Sequence, residues 1–298
     1  MGFRGISLCG TCRIRFRTCL REIFLQDIHY NKQHDNITDY LPPATSPPTI
    51  CTFCMKNPWY IDYFGDDYYR FDHHEDTDLE VAGLEQLLGD PDQKTILDLG
   101  CGYGRHSMPL TALGYHVIGY DLSAALLKHA RDQNHRVPRV RGDMQALPFH
   151  PSFDAVLSLF TTIGYFEDEA ENFQVFRAIS EVLRPGGRFI CQLVNRDYLI
   201  RQFTPQEIHH QDELIILEER TFNPIDNRVH TQTTVMEGST RRQYESVIRL
   251  YTVTELDLLL AAVDLSISEI YGGLDLRPFN WDTNQLVIVA EKMDFDKD

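Results

Sequence analysis

The sequence predicts an α/β fold: a parallel β-sheet with helices on both faces, joined late in the chain by an antiparallel β layer. Three observations carry this expectation. From Lys94 onward, short apolar runs alternate with helical stretches, which is the pattern of a parallel sheet covered by helices. The first of those runs, Ile96-Leu97-Asp98-Leu99, ends in a turn with glycine at alternate positions, Gly100, Gly102 and Gly104. Between Leu214 and Tyr251 the pattern changes to strands joined by polar turns, Asn223-Pro224 with Asp226-Asn227 and then Glu237-Gly238-Ser239, which is antiparallel chemistry.

Size and charge narrow the function. The chain of 298 residues suits one main domain with an appendage. Its net charge of −16 makes the surface repel phosphate backbones, so no nucleic-acid partner is expected. No apolar run approaches the length of a membrane span, and no membrane partner is expected. Arg13, Arg15, Arg17 and Arg21 break up the apolar residues that a signal peptide would keep together. The expected location is cytoplasmic, with reduced thiols.

Residues 1–54 read as a weakly ordered extension, with Pro42-Pro43 and Pro47-Pro48 in an extended linker. Cys9/Cys12 and Cys51/Cys54 are thiolate pairs of the kind that hold zinc. Their long separation across a proline-rich stretch makes a poor frame, and no metal is expected. Residues 55–205 read as an N-terminal lid followed by a ligand-binding core. The segment from Met55 to Glu75 is dense in aromatics, among them Trp59, Tyr60, Tyr63, Phe64 and Tyr68, and reads as a short amphipathic helix that packs on the core or roofs a site. Asp72-His73-His74-Glu75 reads as a solvated polar turn. A helix from Asp78, its N-cap, to Leu88 stops at Gly89-Asp90-Pro91.

The core elements follow in order. A helix from His106 to Leu113 succeeds the glycine turn, and a strand from Tyr115 to Tyr120 runs to Asp121. Ser123 caps a helix to Gln133. A short strand, Val137 to Val140, leads to Arg141-Gly142-Asp143-Met144, and the central strand Ala155 to Leu159 leads to Phe160-Thr161-Thr162-Ile163-Gly164-Tyr165-Phe166. A helix from Glu167 to Leu183, a turn at Arg184-Pro185-Gly186-Gly187 and a strand from Phe189 to Val194 complete this half. Residues 206–251 are the antiparallel insertion. Residues 252–298 return to the core with a helix capped by Thr254, a strand Ile267 to Tyr271 and a last strand Gln285 to Ala290. The loop before that last strand carries Arg277, Phe279 and Trp281, as pocket lining or as packing rim.

The turn after Leu99 is the candidate site. Glycine lets the backbone adopt φ > 0 and approach a ligand closely, and the helix behind it adds donors for polar groups. A dinucleotide turn would carry its third glycine where Arg105 stands. Asp121 lies about 20 residues beyond the turn, where an acid reaches ribose hydroxyls in such sheets. The pattern Asp98-x-Gly100-x-Gly102-x-Gly104 resembles motif I of the class I S-adenosylmethionine-dependent methyltransferases, small-molecule type. Leu183-Arg184-Pro185-Gly186-Gly187 before a strand is similar to the same family.

The resemblance implies a seven-stranded class I methyltransferase (Rossmann-like) sheet with an antiparallel β-hairpin insertion after the fifth strand, covering the acceptor. It implies S-adenosylmethionine as cofactor, with S-adenosylhomocysteine as product. Asp98 would meet the ammonium group, Asp121 the ribose, Asp143 the adenine amino group and Met144 its ring, with Leu122 a further cofactor contact. Phe160 would floor the site, and Tyr63 and Tyr68 would reach it from the lid. The chain lacks the Asn/Asp-Pro-Pro-aromatic and Pro-Cys signatures of base and glutamine methylation. The expected reaction is in-line methyl transfer to a nitrogen or oxygen of a small molecule, with His106, Tyr165 and His230 as weak candidates for a general base. The alternatives are a nicotinamide-dependent oxidoreductase and a non-catalytic S-adenosylmethionine-binding module.

Overall fold

A computed structural model describes residues 57–72, 74, 76–133 and 136–295. The extension 1–54 with its two cysteine pairs lies outside them, as do His73 and Glu75 of the polar turn. Two short helices, α1 (Trp59–Tyr63) and α2 (Tyr68–Phe71), stand where one was expected, and α3 (Thr77–Leu88) follows. The core then runs β1 (Thr95–Leu99), α4 (Ser107–Ala112), β2 (His116–Asp121), α5 (Ala124–Gln133), β3 (Arg139–Arg141), β4 (Phe153–Ser158), α6 (Glu169–Val182) and β5 (Leu183–Val194). After α7 (Arg196–Arg201) come β6 (Gln206–Gln211), β7 (Leu214–Asn223), β8 (Arg228–Glu237) and β9 (Thr240–Arg249). The chain closes with α8 (Val253–Ala261), β10 (Leu265–Tyr271) and β11 (Gln285–Lys292).

The main sheet has seven strands in the order β3-β2-β1-β4-β5-β11-β10, as the resemblance implied. β1 to β5 are parallel, and β11 enters antiparallel to β5. Successive residues of the central strands face opposite sides, and both sides are covered. Leu97, Leu99 and Phe189 pack with α6 and α8 on one face, while Ile96, Ile190 and Val287 pack with α3 on the other. Among the described residues, no helix is long and apolar enough to cross a membrane.

Three local expectations are corrected. Asp78 sits inside the first turn of α3, where a carboxylate favours the helix dipole, and Asp76 occupies the N-cap position. Thr252, not Thr254, caps α8: its hydroxyl accepts the Glu255 N–H, while the Glu255 carboxylate accepts the Thr252 N–H at 2.8 Å. The Arg-Pro-Gly-Gly turn is absorbed into β5 as a bulge. There the pairing moves from Phe153↔Leu183 to Ala155↔Arg188, so residues 184–187 loop out of register.

The insertion is a separate sheet of four antiparallel strands, β6-β7-β8-β9. Its edge strand, Gln206-Glu207-Ile208-His209-His210-Gln211, is too polar to announce itself by alternation. The far end of the sheet is fixed to the loop after β4. Arg249 N–H donates to the Gly164 carbonyl at 2.8 Å. Gly164 has φ +102°, and a Cβ there would lie 2.5 Å from the Arg249 carbonyl oxygen. Gly164→Ala should therefore loosen this junction through backbone strain and steric conflict together. A loss of roughly 2–3 kcal/mol, read as a melting temperature lower by about 5–10 °C in calorimetry, is the expected result.

Candidate active site

The carboxyl ends of β1, β2, β3 and β4 open on a cavity of about 530 Å³, within the range of small-ligand sites. Its roof comes from α1 and α2, and its far wall from the inner face of the insertion sheet, with Glu218, Thr231, Ser246 and Ile248. The roof is tied down at several points. Trp59 Nε1 donates to the Tyr165 carbonyl at 3.3 Å, Ser123 Oγ donates to the Phe64 carbonyl at 2.6 Å, and Arg242 pairs with Asp67 at 2.9 Å. Trp59 and Tyr165 meet edge to face at 4.9 Å between ring centroids.

The glycine turn is shaped by left-handed backbone. Gly100 and Gly102 have φ +73° and +53°, and a Cβ on Gly100 would lie 2.3 Å from Thr162 Cγ2. The Gly100 N–H donates to the Tyr120 carbonyl, and the Gly102 N–H to Asp121 Oδ2 at 2.8 Å. Asp121 Oδ1 accepts the Ser123 N–H at 2.7 Å, so one carboxylate joins the first and second strand ends. Burial raises the pKa of Asp121, only partly offset by those amides. Burial likewise raises that of Asp98, although Ser107 Oγ donates to it and Arg105 and His106 lie near. Asp143 is exposed and accepts the Gln145 N–H at 2.9 Å, with Met144 beside it.

Behind the floor lies a buried hub that the sequence concealed. Glu80, on the inner face of α3, receives Arg105 and His106, the latter at 3.0 Å. It also accepts from Gln192 Nε2 at 3.3 Å. Gln192 Oε1 accepts the Phe160 N–H and the Gln192 carbonyl accepts the Thr161 N–H, both at 2.9 Å. These bonds hold two consecutive non-glycine residues, Phe160 and Thr161, at φ +56° and +57°. Burial pushes the Glu80 carboxyl up, but the His106 hydrogen bond and the Arg105 charge outweigh it and bring the pKa down to about 2. Within an amphipathic helix, a lone glutamate reads as solvated, so no pattern in the sequence marks this one.

Ten of the eleven expected cofactor residues line the cavity: Asp98, Gly100, Gly102, Asp121, Leu122, Asp143, Met144, Phe160, Tyr63 and Tyr68. Gly104 does not; it packs toward Met108 and Ala130. Of the weak base candidates, His106 lines the cavity but its Nε2 is engaged by Glu80. Tyr165 lines it too, and burial raises its phenol well above the ordinary range, so it stays protonated. His230 is exposed; its neighbour Thr231 is the residue that faces the cavity. Arg277, Phe279 and Trp281 are rim residues outside the cavity lining, with Trp281 exposed. The expected polar turn is instead partly buried: His74 Nε2 lies 2.8 Å from Asp72 Oδ1, and Tyr103 Oη donates to Asp72 Oδ2 at 2.9 Å. His74 also meets the Phe160 ring edge-on at 4.4 Å between centroids.

The chain is similar to several known proteins. Residues 96–187 match the family described as "Methyltransferase domain". A dTDP-3-amino-3,4,6-trideoxy-alpha-D-glucopyranose N,N-dimethyltransferase from Streptomyces venezuelae is 28% identical over 128 residues, 42% of this chain and 54% of that protein. The chain thus spans about half the length of that curated relative. The CcbJ methyltransferase of Streptomyces caelestis superposes with a TM-score of 0.70 at 23% identity, covering 80% of this chain and all of that one, 100%. S-adenosylmethionine-bound CalS10, an amino pentose methyltransferase from Micromonospora echinaspora, gives 0.59 at 24% identity, covering 76% and 96%.

Residues 96–187 carry a methyltransferase domain, on a fold shared with methyltransferases of solved structure. The nicotinamide alternative falls with this assignment, and Arg105, held by Glu80 and Thr77, stands where that motif needs its third glycine. The donor set fits the cofactor. A buried and a half-buried carboxylate at adjacent strand ends, Asp98 and Asp121, suit an ammonium group and a ribose diol, and the glycine turn leaves room for the chain between them.

The hub has a pH signature. A carboxyl lowered from 4.5 to about 2 on folding contributes roughly 3 kcal/mol above pH 4.5, and that contribution fades as the pH falls toward 2. Glu80→Gln should be less stable than the wild type by about that amount at pH 7. The gap should narrow steadily in urea melts taken at pH 4, 3 and 2.5.

Proposed function

We propose that this protein transfers a methyl group from S-adenosylmethionine to a small-molecule acceptor, at nitrogen in preference to oxygen. One observation carries the reading: three acidic strand ends share a cavity with an aromatic, hydroxyl-bearing roof of small-molecule size. Asp98 would bind the ammonium group, Asp121 the ribose and Asp143 the adenine amino group, with Leu122 and Met144 against the ring. S-adenosylmethionine brings the methyl on a sulfonium, so its leaving group is already activated. The protein's share is then to align the acceptor in line with the sulfur and keep water out.

Two features support nitrogen. A hydroxyl acceptor needs a strong base in the cavity, whereas burial pushes Tyr63 up to about 12 and raises Tyr68 and Tyr165 as well. These phenols remain donors. An amine needs only to shed its proton. The amino-sugar dimethyltransferase relative points the same way. The lid-and-core unit 55–205 and the return segment 252–298 would then bind the cofactor, while the insertion 206–251 covers the acceptor.

Two measurements test this. Titration with S-adenosylhomocysteine should release heat and raise the melting temperature, and radiolabelled methyl should reach an amine within a panel of amines and alcohols. Well-folded protein without cofactor binding would sink the reading. Asp121→Ala should weaken S-adenosylhomocysteine at least about tenfold by calorimetry, for the loss of charge-assisted hydrogen bonds to the ribose, with the fold retained in circular dichroism. Gly102→Val should abolish binding, because its φ of +53° strains a branched residue and the side chain enters the turn.

A further inference from the structure

We propose that Glu218, on β7, selects the acceptor by receiving a positively charged amine at the end of the cavity that faces the insertion sheet. The proposal takes its use from the methyl-transfer reading, but the geometry stands by itself. Residues 214, 216, 218 and 220 of β7 share one face, and the pairing Glu218↔Thr233 aligns that face with the inner face of β8. Leu214 and Ile216 pack there with Phe71 and Tyr244 under α2. Glu218 is the next residue along this face, and it lines the cavity.

The charges around it favour a cation. Five carboxylates line the cavity, Asp72, Asp98, Asp121, Asp143 and Glu218, against two arginines. Both arginines are engaged elsewhere: Arg105 by Glu80, and Arg141 by the Leu122 carbonyl at 2.9 Å. Asp98, Asp121 and Asp143 sit at the strand ends, and Asp72 is taken by Tyr103 and His74. Glu218 is the charged lining residue that the insertion contributes, set among the hydroxyls of Tyr63, Thr231 and Ser246. The rings of Tyr60 and Tyr165 also line the cavity.

Outside the cavity, Arg220 bridges Glu218 and Glu207, and the exposed His209 lies 3.5 Å from Glu218. Glu207, His209 and Glu218 are close enough to surround a metal ion. The Arg220 guanidinium already serves both carboxylates, which disfavours a second cation on that side. The same bridge supplies the control. Glu207 shares Arg220 but does not line the cavity, so Glu207→Gln breaks an equivalent ion pair and leaves the cavity charge in place.

The test uses the full-length protein with cyclohexylammonium and its neutral isostere cyclohexanol as probes, followed by calorimetry and by quenching of Trp59 fluorescence. The wild type should bind the ammonium at least about tenfold more tightly, near the lower end of what a charged hydrogen bond supplies. Glu218→Gln should lose that preference, Glu207→Gln should keep it, and Glu218→Asp should keep part of it. Glu218→Asp decides the matter if the glutamine variant fails to fold. Equal affinities in the wild type, a preference that survives in Glu218→Gln, or an equal loss in Glu207→Gln would each overturn the assignment. S-adenosylhomocysteine titrated alongside separates the two proposals. Cofactor binding without ammonium preference sinks this one alone, and ammonium preference without cofactor binding sinks the methyl-transfer reading alone.

Discussion

The site depends on one buried carboxylate that never enters the cavity. Glu80 gathers Arg105 and His106 from beyond the glycine turn and Gln192 from β5, three elements distant in sequence. Through Gln192 it fixes the amides of Phe160 and Thr161, which otherwise would not both occupy the left-handed region. Removing a buried charge's partners strands it, and removing the charge strands its partners. The turn and the floor are therefore coupled: neither is held in its observed shape without the other. The 5.6 Å approach of the Arg105 guanidinium to the Phe160 ring adds a second tie between them.

The roof is organised differently. Its helices are too short to be stable by themselves, and the aromatic side chains that fill them find their partners elsewhere. Trp59 packs on Tyr165 of the floor loop, and Tyr63 and Phe71 meet Tyr244 of β9. Polar links then set position: Tyr244 and Arg242 to Asp67, and Arg70 to Glu237. The exposed pairs contribute little energy, so the aromatic contacts carry the packing while the ion pairs specify register. This division leaves the roof anchored at both ends around a middle lined by tyrosines.

Much of this was legible in the sequence, for definable reasons. The strands of the main sheet are short apolar runs, and the turn glycines have no role in a strand or helix interior, so the positions around Asp98, Gly100, Gly102 and Asp121 declared themselves. What escaped was whatever depends on contacts across the chain. Glu80 looks like any solvent-facing glutamate until Gln192, more than a hundred residues away, is brought beneath it. Asp72 and His74 look like a polar turn until Tyr103 closes on them. Strand β6 has no apolar face to show, because its outward side is exposed and its inward side bears Glu207 and His209. His230 and Thr231 differ by one residue, and the parity of a strand, which sequence fixes poorly without its partners, decides which one faces the cavity.

Asp98 is buried and Asp121 half-buried, and desolvation works against the charge of both. Their hydrogen bonds to Ser107, Gly102 and Ser123 recover only part of that loss. A ligand that brought an ammonium group or hydroxyls to these carboxylates would offset part of that cost on binding. The insertion adds a further carboxylate to the cavity wall, Glu218, which Arg220 on the same strand face pairs with. The cavity thus carries carboxylates on both its strand-end floor and its insertion wall, which a ligand of positive charge complements.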